Sequence, residues 1–506
     1  MMQYKRLNKI TDNINLELVS LAVAAALLSG CQSIWPDYLR PKVDVPAQYS
    51  EAADQADSKD SNSKVSSTWW TLYQDQTLND LIAKSLQNNT DIKLAAARIE
   101  EADAVMREVG AALFPQVDLD AGASRSRVSE LGANPVSTNP RNNYNVQLGT
   151  SFEIDFWGKL RRAKDSARAQ ALSTRYAKDT VALSLSGSVA SNYLILRSVE
   201  SQIIIAQDNL KSREDSLALT KRRLDGGVAS ALDVHQAEVA SANLSAQLAE
   251  LNRLRAITAH QLAVLTGDLN LNLAAADIKT LPIPPTPPAG LPSSLLEARP
   301  DVRQAEELMI AADANIGVAK AALYPTISLT GSFGGESLEL GDILKSASRI
   351  WSGGLSLNLP IFDSGRLHSK VDQASAKQKQ ALASYEAAIQ NAFREVNDAL
   401  VNVRQNAERE FALNRSQEAA KKALDISENR YKSGYTAYLD VLDAQRVYND
   451  AALAFIQSRQ ARLVATVELF KALGGGWQQT AENKAAPKTT PEAELKANTE
   501  EAATVK

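Results

Sequence analysis

Apolar and polar residues alternate along two pairs of short stretches, which predicts two β-hairpins. In the first pair, apolar residues occupy the odd positions of 117–123 and the even positions of 144–156. The second pair repeats this alternation around residues 327–333 and 351–359. Strands of about ten residues with one apolar face and aromatic ends are typical of a transmembrane β-barrel. A half-buried sheet of a soluble protein has the same pattern, so the strands alone leave both interpretations open.

Two long helices are predicted to follow the hairpins. Residues 160–223 and 367–430 contain no proline, and their only interior glycine is Gly187. Sixty-four residues extend about 96 Å at 1.5 Å per residue. In the first stretch, and again after the turn Asp225-Gly226-Gly227, apolar residues recur on a heptad spacing, which predicts two antiparallel coiled-coil helices. The heptad positions are Leu196, Val199, Ile203, Ala206, Leu210, Leu217 and Leu224, then Leu244, Leu248, Leu251, Thr258, Leu262 and Leu265.

The chain contains an internal duplication. Residues 111–115 recur as 321–325 at an offset of 210, and residues 158–160 recur as 365–367 at an offset of 207. The offset between the copies changes by three residues among the predicted strands and loops, where insertions are tolerated. Each copy therefore reads as helix, β-hairpin, long helix and helix. We predict that the first copy comprises residues 69–280 and the second 299–477.

The two copies differ in their helix caps and heptad stripes. Ser230 and Asp233 have the spacing of a capping box at the start of the helix that follows the first turn, here called the first return helix. In the second copy Ala437 takes the cap position, and Thr436 is expected to replace it one residue earlier. Three apolar heptad residues are replaced in the second copy by Asn406, Glu410 and Gln417. A polar seam packs less firmly, so the second hairpin is the better candidate for movement.

Two acidic residues precede the second turn. Asp425 and Glu428 lie near the end of the second long helix. A pore-lining role is one interpretation, and a solvated charged helix face is the other.

The amino terminus predicts a secreted protein with a lipid anchor. An apolar segment at residues 18–28 follows basic residues and is too short to span a bilayer, as in a signal peptide. It ends in Leu28-Ser29-Gly30-Cys31, which resembles the bacterial lipobox. The resemblance implies removal of residues 1–30 and covalent attachment of lipid to Cys31, followed by an extended segment over 31–68. The alternative is a buried thiol beside an ordinary cleavage site.

Two further segments lack the patterns of folded elements. Prolines concentrated in residues 281–298 favour an extended linker between the copies. The tail at 478–506 is polar and nearly free of large apolar residues, so we expect it to be disordered.

Composition excludes several classes of function. The 506 residues carry 55 basic and 59 acidic side chains, a net charge of −4, which gives no basic surface for nucleic acid. One cysteine excludes an internal disulfide framework, and three scattered histidines offer no metal-site spacing, so no cofactor is expected beyond the lipid on Cys31. No nucleophile elbow, P-loop or dinucleotide motif occurs, so we expect no enzyme.

The predicted strands require more than one chain if they lie in a membrane. An open four-stranded sheet leaves backbone groups unpaired at its edges, which lipid does not tolerate. Two chains reach eight strands, the minimum for a barrel, and three chains give twelve. The strand pattern requires an oligomer without choosing between these numbers.

The chain resembles the TolC-like outer-membrane factors, in their lipoprotein branch. The resemblance spans most of the mature chain and rests on motifs in the expected order, namely Trp69-Trp70, residues 78–88, Phe152 to Gly158, LPSSLLEARPDVRQAE from Leu291, Asn429-Arg430-Tyr431, Gly434, LDVLDAQR from Leu439, and Ala472 to Trp477. It implies a mainly α-helical fold with membrane β-strands. A homotrimer would form a twelve-stranded barrel in the outer membrane, a long periplasmic coiled-coil helical barrel and an equatorial collar.

The same resemblance implies a function and partners. The chain is expected to be the outer-membrane exit duct of a tripartite efflux pump, working with a periplasmic adaptor and an inner-membrane transporter. The residues expected to contact the adaptor lie at the two helix tips: Arg223, Gly226, Gly227, Ser230, Arg430, Gly434 and Thr436. Asp425 and Glu428 lie where the family narrows its periplasmic aperture, which hairpin movement would open. The alternative function is a periplasmic coiled-coil lipoprotein acting as an adaptor or scaffold.

Overall fold

A computed structural model of the chain describes its helices, strands and most connections. The described residues are 38–41, 43, 46, 49–50, 66–129, 131, 139–286 and 298–476. Cys31, the signal segment 1–30, most of the 31–68 segment, most of the proline-rich linker and the tail at 478–506 lie outside them.

Each half of the chain contributes two strands and a series of helices. The first half contains α1 (Gln76–Asn88), α2 (Thr90–Ala111), β1 (Gln116–Ser126), β2 (Arg141–Ile154), α3 (Lys159–Asp225) and α4 (Ala231–Thr266). The second half contains α5 (Pro300–Ala321), β3 (Thr326–Ser337), β4 (Arg349–Asn358), α6 (Arg366–Lys432) and α7 (Tyr438–Ala472). None of the described helices has an apolar stretch long enough to span a membrane.

The element bounds repeat at the offsets seen in the sequence. α2 ends at Ala111 and α5 at Ala321, a difference of 210. α3 begins at Lys159 and α6 at Arg366, a difference of 207. The three-residue difference is therefore taken up within the β-hairpins. Both long helices contain 67 residues, as expected from stretches without proline.

The four strands form one antiparallel sheet in the order β1-β2-β3-β4. The register gives the sheet one apolar face and one polar face. A row across the apolar face consists of Leu119, Leu148, Phe333 and Trp351, all exposed. The next row, on the polar face, consists of Asp118, Gly149, Ser332 and Ser352. The half-buried soluble interpretation requires a covered apolar face, and among the described residues the centre of this face is open.

The described residues divide into two compact units, one of which contains the sheet within 100–171 and 306–384. The other unit has an apolar core. Trp69 stacks on Phe470 of α7 with ring centroids 5.4 Å apart, and Tyr73 is fully buried beside them. The Tyr73 hydroxyl lies 2.6 Å from Oγ1 of Thr466. Leu262 of α4 and Leu194 of α3 complete the centre of this core, so the core joins the start of the first copy to the end of the second.

The heptad stripe of α3 packs against α4 in the same unit. Val199, Ile203 and Ala206 are buried against Leu251, which confirms the antiparallel coiled-coil prediction for this pair. Leu224, the last residue of the predicted stripe, is exposed, because α3 ends one residue later, at Asp225.

The polar seam of α6 contains one buried charge. Asn406 and Gln417 are half-buried, but Glu410 is buried. Its carboxylate accepts hydrogen bonds from Arg459 at 2.9 Å and from Arg462 at 2.9 Å. Two arginines of α7 therefore compensate the buried charge of Glu410, and the weaker packing of this seam stays a prediction.

Candidate functional site

The turn between α3 and α4 forms the first helix tip. The amide of Gly227 donates to the carbonyl of Leu224 at 2.9 Å, and the amide of Val228 donates to that of Arg223 at 2.8 Å. Gly227 has φ of +71°, a left-handed conformation that favours glycine after a helix. The predicted Asp225-Gly226-Gly227 turn is confirmed.

The turn between α6 and α7 forms the second tip with the same geometry. The amide of Gly434 donates to the carbonyl of Tyr431 at 3.0 Å, and the amide of Tyr435 donates to that of Arg430 at 2.9 Å. Gly434 has φ of +79°. Gly227 and Gly434 are 207 residues apart, so the duplication preserves both the turn and the glycine in its left-handed backbone conformation.

Each tip ends in an exposed apolar side chain. Val228 is 72% exposed and Tyr435, at the equivalent position, is 78% exposed. Gly226 lies just before this point, where its amide donates to the carbonyl of Arg222 at 3.1 Å. The duplication therefore places an apolar side chain at the same point of both turns.

The return helices start differently. The Ser230 hydroxyl accepts from the Asp233 amide at 3.2 Å, and the Asp233 carboxylate accepts from the Ser230 amide at 3.0 Å, which confirms the predicted capping box. Ala437 is the N-cap of α7 and provides no side-chain cap. Thr436 does not replace it, because its hydroxyl donates to the carboxylate of Asp440 instead of accepting from a backbone amide.

An aromatic cluster joins the two tips. The Arg223 guanidinium lies over the Tyr431 ring, 4.7 Å from its centroid. Tyr431 packs on Tyr438 with centroids 5.4 Å apart, and Tyr438 is buried with Ala237 and Val441. Burial raises the pKa of Tyr438. The sequence places Arg223 and Tyr431 on different hairpins, and heptad spacing gives no sign of their contact.

A groove of about 660 Å³ runs beside the tips between α4 and α7. Its tip end has two exposed leucines, Leu232 and Leu439. Farther along, the amide of Asn209 donates to Asn449 at 2.8 Å. Arg213 also lines the groove, and burial lowers its pKa. Residues separated by more than 200 positions form this surface, which the sequence pattern did not predict.

The two predicted aperture residues have partners within the chain. Asp425 pairs with Lys421 at 3.1 Å, one helical turn earlier, and this contact raises the pKa of Lys421. Glu428 accepts a hydrogen bond from Gln445 of α7 at 3.4 Å. Lys421 also lies over the Tyr448 ring, with its ammonium 5.3 Å from the centroid. The segment 421–428 therefore carries two acidic and two basic side chains, since Lys422 follows Lys421.

The described part of the chain gathers no group of three His, Cys, Asp or Glu side chains suited to a metal ion.

Comparison with known proteins supplies a family. The family model described as "Outer membrane efflux protein" matches residues 81–268 and 291–475. The chain is 35% identical over 486 residues to the probable efflux pump outer membrane protein TtgC of Pseudomonas putida, covering 94% of this chain and 99% of the relative. It is 32% identical over 464 residues to the cation efflux system protein CusC of Escherichia coli, covering 92% and 99%.

A solved structure has the same fold. The MtrE outer membrane channel of Neisseria gonorrhoeae, crystallised in its open state, superimposes with a TM-score of 0.79 at 31% identity. The match covers 88% of this chain and 98% of that channel.

Proposed function

We propose a trimeric duct built from this chain, which belongs to the outer membrane efflux protein family. The chain is an outer-membrane component of an efflux pump with a TolC-like channel fold that extends into the periplasm. The number of copies and the contacts with other pump components are the proposed part.

The observation that carries the proposal is the open sheet. Each of the four strands exposes apolar side chains on one face, and β1 and β4 each pair on one side only. In lipid every backbone donor and acceptor needs a partner, so both edges must meet strands of other copies. Three copies of four strands close a barrel of twelve, within the range of known outer-membrane barrels.

Disulfide crosslinking across the two edges tests this arrangement. We would combine Asp120→Cys on β1 with Ser352→Cys or Ser356→Cys on β4, all on the polar face. Within one chain these strands are three inter-strand steps apart, about 14 Å, whereas a disulfide needs Cα atoms within about 7 Å. Any crosslink therefore joins two copies. Oxidation in native outer membranes should give covalent species that end at three chain masses.

The single variant Asp120→Cys is the matched control. Its three copies lie a third of the circumference apart in a twelve-stranded barrel and should not pair. Species that end at two chain masses would instead indicate a two-chain barrel. An absence of crosslinks from every pair would show that the edges do not meet, and would overturn the proposed closure.

The helix tips are proposed to bind a periplasmic adaptor, which links the duct to an inner-membrane transporter. Two hydrogen-bonded turns that expose Val228 and Tyr435 support this role, with the apolar end of the neighbouring groove. The tip residues proposed to take part are Arg223, Gly226, Gly227, Ser230, Arg430, Gly434 and Thr436.

The acids near the second tip are proposed to line the periplasmic aperture. Asp425 is exposed and Glu428 half-buried on α6, close to the end of that helix. Three copies of these two acids would form a ring of carboxylates, which favours cations.

A covalent lipid on Cys31 is proposed to anchor the chain to the membrane. The lipobox-like end of the signal segment supports this anchor. Because the proposed barrel inserts independently, the lipid adds a second attachment to the same membrane.

A further inference from the structure

The apolar face of the sheet ends in arginines. On β1 the apolar-face positions run from Val117 to Ala123 and are followed by Arg125. On β4 they run from Leu357 to Trp351 and end at Arg349. Both arginines are exposed, and both occupy the last apolar-face position at the hairpin end of their strand. Neither forms an ion pair with any residue that the structure describes.

The loop between β3 and β4 adds apolar side chains at the same end. Leu338, Leu340 and Leu344 are exposed, Leu344 to 88%. The loop is held by its own hydrogen bonds, in which the Ser348 hydroxyl donates to the Asp342 carbonyl at 2.7 Å. These leucines are therefore presented by an ordered segment.

The loop folds against the apolar face of β3. Gly335 pairs with Val146 and with Arg349, which places it in an apolar-face row. A Cβ atom at Gly335 would collide with the carbonyl oxygen of Ile343. The loop backbone at Ile343 therefore covers this position beside Arg349, and Leu344 is the next residue of the loop.

This end of the sheet lies at the outer surface of the outer membrane. The long helices α3 and α6 begin after the opposite strand ends, and the fold extends into the periplasm on that side. The outer leaflet of this membrane consists of an acylated glycolipid with phosphate groups above its acyl chains. An arginine fork matches the geometry of a phosphate, and leucines match acyl chains.

We propose that Arg125 and Arg349 bind the phosphate groups of a phosphorylated outer-leaflet glycolipid, whose acyl chains pack on the apolar face and on the leucines of the β3–β4 loop. β1 and β4 are the two edges of the sheet. In the trimer of the proposed function, on which this inference rests, Arg125 of one copy neighbours Arg349 of the next. Each of the three seams then holds one site with two guanidinium groups.

Arginines at a membrane interface also attract any anionic lipid. The proposed site differs because two forks and an apolar loop act on one ligand. It therefore favours a glycolipid with two phosphates over its dephosphorylated form and over a glycerophospholipid of one negative charge.

Native mass spectrometry of the full-length trimer in detergent tests the site. The protein is titrated separately with hexa-acylated bisphosphoryl lipid A, with the same lipid after removal of both phosphates, and with phosphatidylglycerol. We expect up to three bisphosphoryl lipids per trimer and about tenfold weaker binding of the other two lipids. The double variant Arg125→Gln with Arg349→Gln should lose about the same tenfold.

Arg141→Gln is the matched control. Arg141 is exposed at the same strand end but pairs with Ser126 on the polar face, so this variant should bind lipid A normally. Unchanged binding by the double variant, equal loss in Arg141→Gln, or equal binding of phosphatidylglycerol would each overturn the site. The same spectra also give the number of chains. A trimer that binds no lipid would contradict this inference but not the proposed function, whereas single chains would contradict the proposed trimer.

Discussion

One residue distinguishes the starts of the two return helices. Ser230 closes a reciprocal capping box with Asp233, whereas Ala437 leaves the first-turn amides of α7 without a side-chain acceptor. A serine, threonine, asparagine or aspartate cap contributes typically about 1 kcal/mol relative to alanine. The second tip is therefore less firmly held at its α7 end than the first is at α4.

We predict opposite effects from exchanging these residues. Ser230→Ala removes the cap and should lower the local opening free energy of the first turn of α4 by about 1 kcal/mol, which speeds amide hydrogen exchange there roughly fivefold. Ala437→Ser should slow exchange in the first turn of α7 by a similar factor. The middle of α3 serves as the internal reference. Equal exchange in Ser230→Ala and the unmodified protein would mean that the cap adds nothing to this tip.

At the scale of elements, sequence patterns predicted most of what the structure contains. The long helices were expected at 160–223 and 367–430 and extend over 159–225 and 366–432, because glycine lies at their ends, while glycine is almost absent and proline absent inside. The strands followed from their period of two. Contacts between hairpins, such as Arg223 on Tyr431, were not predictable, since they depend on how separate helices pack and leave no period in the sequence.

The partners of Glu410, the buried acid of α6, were likewise not predictable from the sequence pattern. Glu410 occupies an apolar heptad position, which suggested a weak seam, but Arg459 and Arg462 lie 49 and 52 residues away in the chain and compensate it. Arg459 also donates to the Leu281 carbonyl at 2.7 Å. This cluster therefore connects α6 and α7 to Leu281, which follows the first copy. The arginine partners of Glu410 lie outside the heptad pattern and cannot be predicted from it.

We predict that Glu410→Leu destabilises the protein although it restores the first-copy residue type. Removing one partner of a buried ion pair typically costs about 3–5 kcal/mol; partial exposure of Arg462 reduces this to roughly 2–3 kcal/mol. The measurement is hydrogen exchange across α7. Gln417→Leu is the control, because that half-buried seam position loses no ion pair and should be neutral or stabilising. If both variants had similar effects, hydrophobic packing alone would explain the stability of the seam, and the ion cluster would contribute nothing.

At the scale of the whole molecule, the duplication makes the two tips similar but not equivalent in charge. Asp425 and Glu428 correspond, at the offset of 207, to Ala218 and Lys221 in the first copy. In the first copy the charged pair of the tip is Lys221 with Glu238, 3.0 Å apart. The two acids of the proposed aperture therefore have no acidic counterpart in the first copy.

This asymmetry makes Lys421 the sharpest test of the proposed aperture. Lys421→Gln removes the cation beside Asp425, so each copy gains one net negative charge. A unit charge at 4 Å is worth about 1 kcal/mol in bulk water, so the cation-to-anion permeability ratio in planar bilayers should rise roughly two- to fivefold.

Asp425→Asn with Glu428→Gln should lower the ratio. Glu238→Gln removes an acid of the first tip that is also paired with a lysine, and should leave the ratio unchanged. If Lys421→Gln and Glu238→Gln gave equal shifts, selectivity would follow the total charge of the tips, and the aperture would not lie at Asp425 and Glu428.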